Sequence, residues 1–459
     1  MTLLHLPWAE ICVALPLVGA AVVGLVRDPV VAGRWTLGFS ATAFACSFLP
    51  WLALADGVPG GAFFAVDGLS APFLSLVALL HMLVVLATPR VKLNRMSLGG
   101  HLMAEGFRLG TFAAAPGAPG LLVLFLVLGT LPPFFELRGR DLPTRVYTVH
   151  MGLFVALLAA GWLAVGVGLP GTGSVLLLLA VLVRSGAVPA HLWIADLFEN
   201  ATFGTALLFV APLAGVYTAL RLALPIAPEW ALQWIGAVSL ATAVYAAAMA
   251  TVQSDARRFF SYLFLSHASL VLIGLELHTV ISLTGALFLW ASVAISLGGL
   301  GITLRAVEAR HGRLRLDGYG GLYDESPTLA VGFLLTGLGS VGFPGTLGFV
   351  AAELLVDGAI EANPLVGVGL AVAAGLNGIA IVRAYLALFT GARHASPVPM
   401  GITPRERFAV LTLAAILLGG GLVPQPGVTS FRSAAGAVLQ SRGGDAPPAH
   451  GHAHTRGGE

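Results

Sequence analysis

Apolar residues occur in long runs separated by short charged loops. The runs lie near residues 9–26, 35–52, 67–88, 119–135, 146–168 and 174–194, and then near 203–220, 231–252, 259–277, 280–304, 328–358, 364–390 and 408–424. A hydrocarbon core takes about 20 residues of helix per crossing, so most runs predict one membrane span each. Two are interrupted at similar relative positions. One reads Val183-Arg184-Ser185-Gly186-Ala187-Val188-Pro189-Ala190-His191, the other Gly342-Phe343-Pro344-Gly345-Thr346-Leu347-Gly348. Proline removes a backbone donor and glycine loosens a helix, so both predict breaks at membrane depth. Paired broken helices in two halves mark inverted-repeat transporters, whose ion sites lie at the breaks.

Composition agrees with the pattern. Of 459 residues, 57% are hydrophobic and 10% charged, against about 25% charged in average proteins. One soluble core could not bury this much apolar surface, which excludes a soluble enzyme. The 24 basic and 22 acidic residues leave a net charge of +2, with no basic block that would bind nucleic acid. Cys12 and Cys46 both lie in apolar runs, so no disulfide framework, iron–sulfur cluster or zinc site is expected. Residues 1–10 carry no Lys or Arg, so the first run reads as a retained span rather than a cleaved signal.

Positive loop charges set orientation. Arg27, Arg34, Arg90, Lys92, Arg95, Arg138, Arg140 and Arg145 occupy the early loops. Arg257, Arg258, Arg305, Arg310, Arg313, Arg315, Arg393, Arg405 and Arg407 occupy the later ones. These seventeen share one side only if residues 97–115, a poor span containing His101, Glu105 and Arg108, also cross. That gives fourteen crossings with the amino terminus outside and Arg221 alone in an outer loop. Residues 57–62, 171–173 and the carboxyl-terminal tail then face outside, with 138–145 and 305–315 inside.

Four stretches resemble the antiporter-like subunits of respiratory complex I and of Mrp-type cation/proton antiporters. Asp67-Gly68-Leu69-Ser70 opens the third span as the family's Asp-Gly-Leu-Ser does. Pro189-Ala190-His191-Leu192-Trp193 with Asp196 is similar to its Pro-x-His-x-Trp-Leu-x-Asp. Gln253-Ser254-Asp255-Ala256-Arg257-Arg258, with Tyr262 and His267, resembles its Gln-x-Asp-x-Lys-Arg…Tyr-Ser…His. Residues 342–349 resemble its Gly-Phe-Pro-Gly-x-x-Gly-Phe. The resemblance spans nearly the whole chain in order, and the M-type subunit is the nearest match, because the tail is too short for a long lateral helix.

The resemblance implies an all-α polytopic membrane protein with about fourteen transmembrane helices, two inverted five-helix repeats and two broken helices. The expected divisions are a three-helix segment over 1–96, repeats over 97–224 and 231–391, a last helix over 392–424, and a flexible tail over 425–459. It further implies a non-redox subunit that moves protons or monovalent cations along a midplane row of buried ionisable residues. Such a subunit has no cofactor and no active site of its own. Its partners are other membrane and peripheral subunits in the lipid bilayer, of a bacterial inner membrane, and its complex is expected to be NADH-quinone oxidoreductase-related. Related subunits also serve proton-driven uptake of carbon dioxide or bicarbonate, and a scaffold that no longer conducts is a third alternative.

Departures from the family pattern deplete the row. The acid of the fifth helix falls on Leu128 or Val127, the lysine of the first broken helix on Arg184, and the basic residue of the eighth helix near Leu213. Ser292 and Ser296 stand where a later His and Lys would, and the acid of the second broken helix moves to Glu353. A charge inside a membrane helix is functional by default, but a guanidinium stays protonated. Arg184 therefore reads as a fixed positive potential, or as a structural partner of carbonyls freed by the break. His191 and His267 are candidate proton carriers, or else hydrogen-bonded core histidines. Glu353 is a candidate exit acid or an ion partner of Arg383. Asp196, Glu199 and Asp255 are candidate intake groups or solvated caps, and Asn377 could hydrate the path or bond between helices. Gly166, Gly168 and Gly171 spell G-x-G-x-x-G without a preceding strand, and His450, His452 and His454 read as incidental composition.

Overall fold

The computed structural model describes residues 5–57, 60–89, 97–277, 279–392 and 401–442. His450, His452, His454 and the loop charges Arg90, Lys92, Arg95 and Arg393 lie outside them. The described chain is helical, with only the isolated bridges Phe64–Ala114 and Asp255–Arg315 in extended pairing. In order the helices are α1 (Trp8–Gly24), α2 (Pro29–Cys46), α3 (Phe48–Ala55), α4 (Ser70–Leu86), α5 (Leu98–Ala113), α6 (Pro119–Leu128) and α7 (Leu131–Gly139). Next come α8 (Arg145–Gly166), α9 (Pro170–Ser185), α10 (Leu192–Asn200), α11 (Phe203–Val210) and α12 (Ala214–Thr218), which runs into a π-turn over Ala219–Ala223. The second half holds α13 (Glu229–Val252), α14 (Ala256–Glu276), α15 (Val280–His311), α16 (Pro327–Ser340), α17 (Leu347–Ala362), α18 (Pro364–Phe389), α19 (Pro404–Leu422) and α20 (Gln425–Arg442).

Among the described residues, eight stretches are long and apolar enough to cross a membrane, and α19 and α20 form a further pair bent by 80°. α15 is the longest at 32 residues and is buried along most of its length. It packs against α4, α14, α16, α17, α19 and α20, so the bundle is organised around it. The outer helices α8 and α18 keep apolar residues such as Val149, Leu163, Val368 and Ile379 exposed, as helices against lipid do.

Both expected breaks are present, and each has a backbone reason. α9 ends at Gly186 in the left-handed region (φ 74°), and a Cβ there would meet Ile194 Cδ1 at 2.3 Å. The α16–α17 break turns through Gly342 and Gly345, at φ 85° and 84°. A third interruption was not expected. Pro212 and the left-handed Leu213 (φ 45°) split the 203–220 run into α11 and α12.

Two expectations need correction. The tail is not flexible from residue 425, because Gln425–Arg442 is helical. Phe431, Ala434, Ala435 and Val438 form an i, i+3, i+4, i+7 stripe that is buried, with Phe431 packed on Phe73 and Phe288. Arg221 does not sit in a loop either. It lies in the π-turn and pairs with Asp67 at 2.6 Å.

Candidate functional site

At the first break the freed groups find named partners. Trp193 Nε1 donates to the Val183 carbonyl at 3.0 Å, and the Val188 amide donates to Thr242 Oγ1 at 3.1 Å. Pro212 has no N–H and Leu213 is left-handed, so the Phe209 carbonyl loses its helical donor. Arg184 donates to that oxygen at 2.9 Å and Arg108, on α5, donates to it at 3.1 Å. Both guanidiniums also lie over the Phe209 ring, at 3.9 and 4.7 Å from its centroid. Both are buried, and neither forms an ion pair among the described residues. The structure thus concentrates two permanent positive charges on one carbonyl and one aromatic face.

The second break is held by an imidazole. His267 is buried on α14, with Nδ1 2.8 Å from the Leu263 carbonyl and Nε2 3.0 Å from the Ser340 carbonyl at the end of α16. Neutral imidazole carries one N–H, so only the imidazolium makes both bonds. Proton binding at His267 is therefore coupled to the contact between α14 and the end of α16. Asn377 Nδ2 donates to Ser266 Oγ at 2.9 Å, and Ser266 donates to the Ala243 carbonyl at 2.9 Å. Thr242 touches the first break and its neighbour Ala243 accepts from Ser266. Ser266 precedes His267, which touches the second break. Hydrogen bonds thus tie α18 to α14 and α14 to α13, whose Thr242 meets the first break.

The remaining sequence candidates are scattered. His191 is half-buried at the start of α10, beside the rings of Tyr245 and Tyr262 at 5.4 and 6.3 Å. Asp196 accepts from Asn200 at 3.1 Å. Asp255 caps α14 through the amides of Arg257 and Arg258, and pairs with Arg313 at 3.3 Å. Arg383 donates to the carbonyls of Gln253 and Leu316 rather than to a carboxylate. Glu353 is exposed on α17 and forms no ion pair among the described residues, so the structure brings neither Arg383 nor His267 to it.

Several buried ionisable groups were missed as candidates. Glu136 is buried on α7, eight residues past Leu128. It accepts from the Thr202 amide at 2.7 Å and from the Thr205 hydroxyl, capping the amino terminus of α11. His81 on α4 and His101 on α5 have ring centroids 5.2 Å apart, and Glu105 on α5 accepts from Ser40 Oγ at 2.5 Å. Arg305 reaches from α15 to the Val84 carbonyl and Thr88 Oγ1, at 3.0 and 2.7 Å. A signal was available, because residues 101, 105 and 108 lie at i, i+4 and i+7 on one helix face.

The two edges of the bundle differ. One cleft gathers Arg140, Arg257, Arg305 and Arg313 with Glu199 and Glu308, which puts loops from both halves on a single basic edge. The opposite edge carries Asp67, just ahead of α4. Burial pushes its carboxyl up, but the hydrogen bond and charge of Arg221 outweigh this and hold it below the usual carboxylate range.

Residues 153–377 match the family described as NADH:quinone oxidoreductase/Mrp antiporter, transmembrane. NADH-quinone oxidoreductase subunit 13 of Thermus thermophilus is 29% identical over 66% of this chain and 69% of its own length. Other curated relatives are matched over about half to two thirds of their lengths. A chain of the solved respiratory complex I from Thermus thermophilus with bound NADH superposes with a TM-score of 0.82 and 24% identity, covering 95% of this chain and all of that one. A chain of the Mrp complex from Dietzia sp. DQ12-45-1b gives 0.83 and 20%, covering 96% and 98%. Residues 153–377 are thus similar to that family, and the chain shares the fold of the matched chains of complex I and of the Mrp complex.

Proposed function

We propose that this chain is the proton-translocating, non-redox subunit of a multi-subunit membrane complex related to NADH-quinone oxidoreductase. One observation carries the reading: two buried guanidiniums, one of them from the first break, meet on one carbonyl, and a buried imidazole within hydrogen-bond distance of two carbonyls meets the second break. Buried ionisable groups in membrane helices mark ion pathways, and broken helices are where such pathways bind their ions. Arg184 and Arg108 set a standing positive potential. His267 takes up and releases the proton, with Asn377 and Ser266 orienting the path between the breaks. His191, Asp196 and Asp255 lie toward the basic edge as intake groups, Arg383 joins them there through the Gln253 and Leu316 carbonyls, and Glu353 belongs to the outlet.

The same reading takes the helices as fourteen crossings. Pairs α2–α3, α6–α7, α9–α10, α11–α12 and α16–α17 each make one, α20 makes none, and residues 97–224 and 231–391 form inverted repeats. The basic edge is the cytoplasmic one by the rule for positive loop charge, which leaves the amino terminus outside a bacterial inner membrane.

Purification in mild detergent through a tag on this chain, followed by reconstitution into vesicles with a pH-sensitive dye, tests the reading. A stoichiometric partner and partner-driven acidification or alkalinisation are expected. A redox partner points to the oxidoreductase, whereas a zinc-containing soluble partner points to inorganic-carbon uptake. A complex that turns over its substrate without moving protons contradicts the reading and makes the chain a scaffold.

A further inference from the structure

The chain's only two cysteines lie on α1 and α2, and both are free thiols. The two helices form an antiparallel hairpin whose register is set by one contact. A Cβ on Gly19 would meet Phe39 Cγ at 2.6 Å, so these positions face each other with almost no space between them. Cys12 stands seven residues before Gly19, and Cys46 seven residues after Phe39. Seven residues are two turns of helix, which return a position to within about 20° of the same face. In an antiparallel pair the two steps run the same way, each rising about 10.5 Å. Cys12 and Cys46 therefore meet across one interface, at the open end of the hairpin. Cys12 lies in the buried stripe Ala9, Cys12, Pro16, Gly19 and Val23 of α1, and the two thiols act on each other electrostatically. Gly19 and the buried Ala43 are small enough to let the helices approach closely, as a disulfide's Cα separation of about 4.4–6.8 Å requires.

A cavity of about 260 Å³ opens just beyond the pair. Its wall includes Ala9, one turn ahead of Cys12, and Pro50, one turn past Cys46, together with Trp8, Glu10 and Phe64. Cys46 is half-buried and Cys12 fully buried, so a reagent in this cavity reaches the two thiols unequally.

We propose that Cys12 and Cys46 form a redox-active thiol pair, which closes to a disulfide by exchange with a small disulfide compound entering through this cavity. Cys46 attacks first, because it is the more exposed and the thiolate is the nucleophile. Its Sγ bonds to one sulfur of the reagent, the reagent's S–S bond breaks, and the leaving thiolate takes the Cys46 proton. Cys12 then attacks Cys46 Sγ and expels the second thiolate, which takes the Cys12 proton. The two cysteines are oxidised, and one reagent disulfide is reduced to two thiols. The product ties α1 to α2 immediately ahead of Ser47, where α2 gives way to α3 and the Ser47 carbonyl accepts from Ser75 of α4. The orientation proposed above puts this end on the outer, oxidising side of the membrane, where such bonds persist. The pairing itself does not depend on that orientation.

The test starts from cells quenched in acid and alkylated with N-ethylmaleimide. The intact complex is purified through this chain and digested without reductant for mass spectrometry. A second sample is reduced, freed of reductant and exposed to oxidised glutathione before alkylation. In both, a cross-linked Cys12–Cys46 peptide lighter by two hydrogens is expected, and reductant should abolish it. Cys12→Ser combined with Ile11→Cys keeps two thiols but swings one about 100° off the shared face. Cross-linking by oxidised glutathione is then expected to fall about tenfold or more. Undiminished cross-linking in that variant, or two alkylated thiols in both parent samples, overturns the pair. A cross-link that oxidised glutathione makes and cells do not upholds the pair and overturns the outer placement of the amino terminus.

Discussion

At the α11–α12 interruption the Phe209 carbonyl holds two guanidiniums, one reaching over from the first break, whereas at the second break the Ser340 carbonyl faces a single imidazole. Both carbonyls are exposed for the same reason, since an interrupted helix leaves them without an i+4 amide. The charges that occupy them differ in kind. Arginine cannot release its proton, so the first half offers a constant field and must find its titrating groups elsewhere. Histidine can release one, so in the second half the structural contact and the carrier are the same side chain. In the proposed function the two sites thus divide the work into a bias and a switch.

Removing the bias should have the largest effect. Arg184→Ala leaves Arg108 alone on Phe209, and partner-driven proton flux is expected to fall about 100-fold, the scale of losing one preorganised charge contact. Arg184→Lys keeps a charge and should retain most activity with a shifted pH profile, measured in the same vesicles. Equal loss in both variants would make the site geometric rather than electrostatic. His267→Ala is expected to cost about tenfold, toward the small end for a lost proton-transfer group. Glu353→Gln should stay within about threefold of the parent, because an exposed carboxylate is solvated or partner-facing and contributes little as a fixed charge. A larger loss would place the outlet on α17 against a neighbouring subunit.

A stability comparison sharpens the same contrast. Glu136→Ala strips the cap from α11 and should cost about 1–3 kcal/mol, read as a lower unfolding midpoint in detergent. The smallest effect concerns Asp67. Its folded pKa lies below the ordinary carboxylate value, so its pairing with Arg221 contributes stability that is fully present above that ordinary value. The contribution is lost as pH falls through the folded pKa. The midpoint advantage of the parent over Asp67→Asn should therefore vanish in acid, and a pH-independent difference would show that shape rather than charge holds that edge.

Much of the fold was legible because apolar runs and Gly/Pro punctuation dictate helices and breaks directly. Gly186, Gly342 and Gly345 take left-handed backbone inside the two motifs that read as breaks. The gaps have specific causes. Residues 97–115 were accepted as a span for their neighbours' charge, so His101, Glu105 and Arg108 counted as a cost rather than as one polar face. Pro212 was hidden inside an apolar run whose hydropathy it barely changes. The apolar stripe from Phe431 to Val438 was present in the tail, but glycine and proline around it masked the period. That Arg108 and Arg184 share a carbonyl requires contact between α5, α9 and α11, which no local pattern encodes.

The central claim is that the two breaks act as one path, and a double-variant cycle in reconstituted vesicles tests it. Partner-driven proton flux would be measured for the parent, Arg184→Ala, His267→Ala and the two combined. Groups that act as a unit are non-additive, so the double variant is expected to lose little more than Arg184→Ala alone. Independent losses that multiply to about a thousandfold would mean two separate paths, and parental flux in the double variant would contradict the account outright.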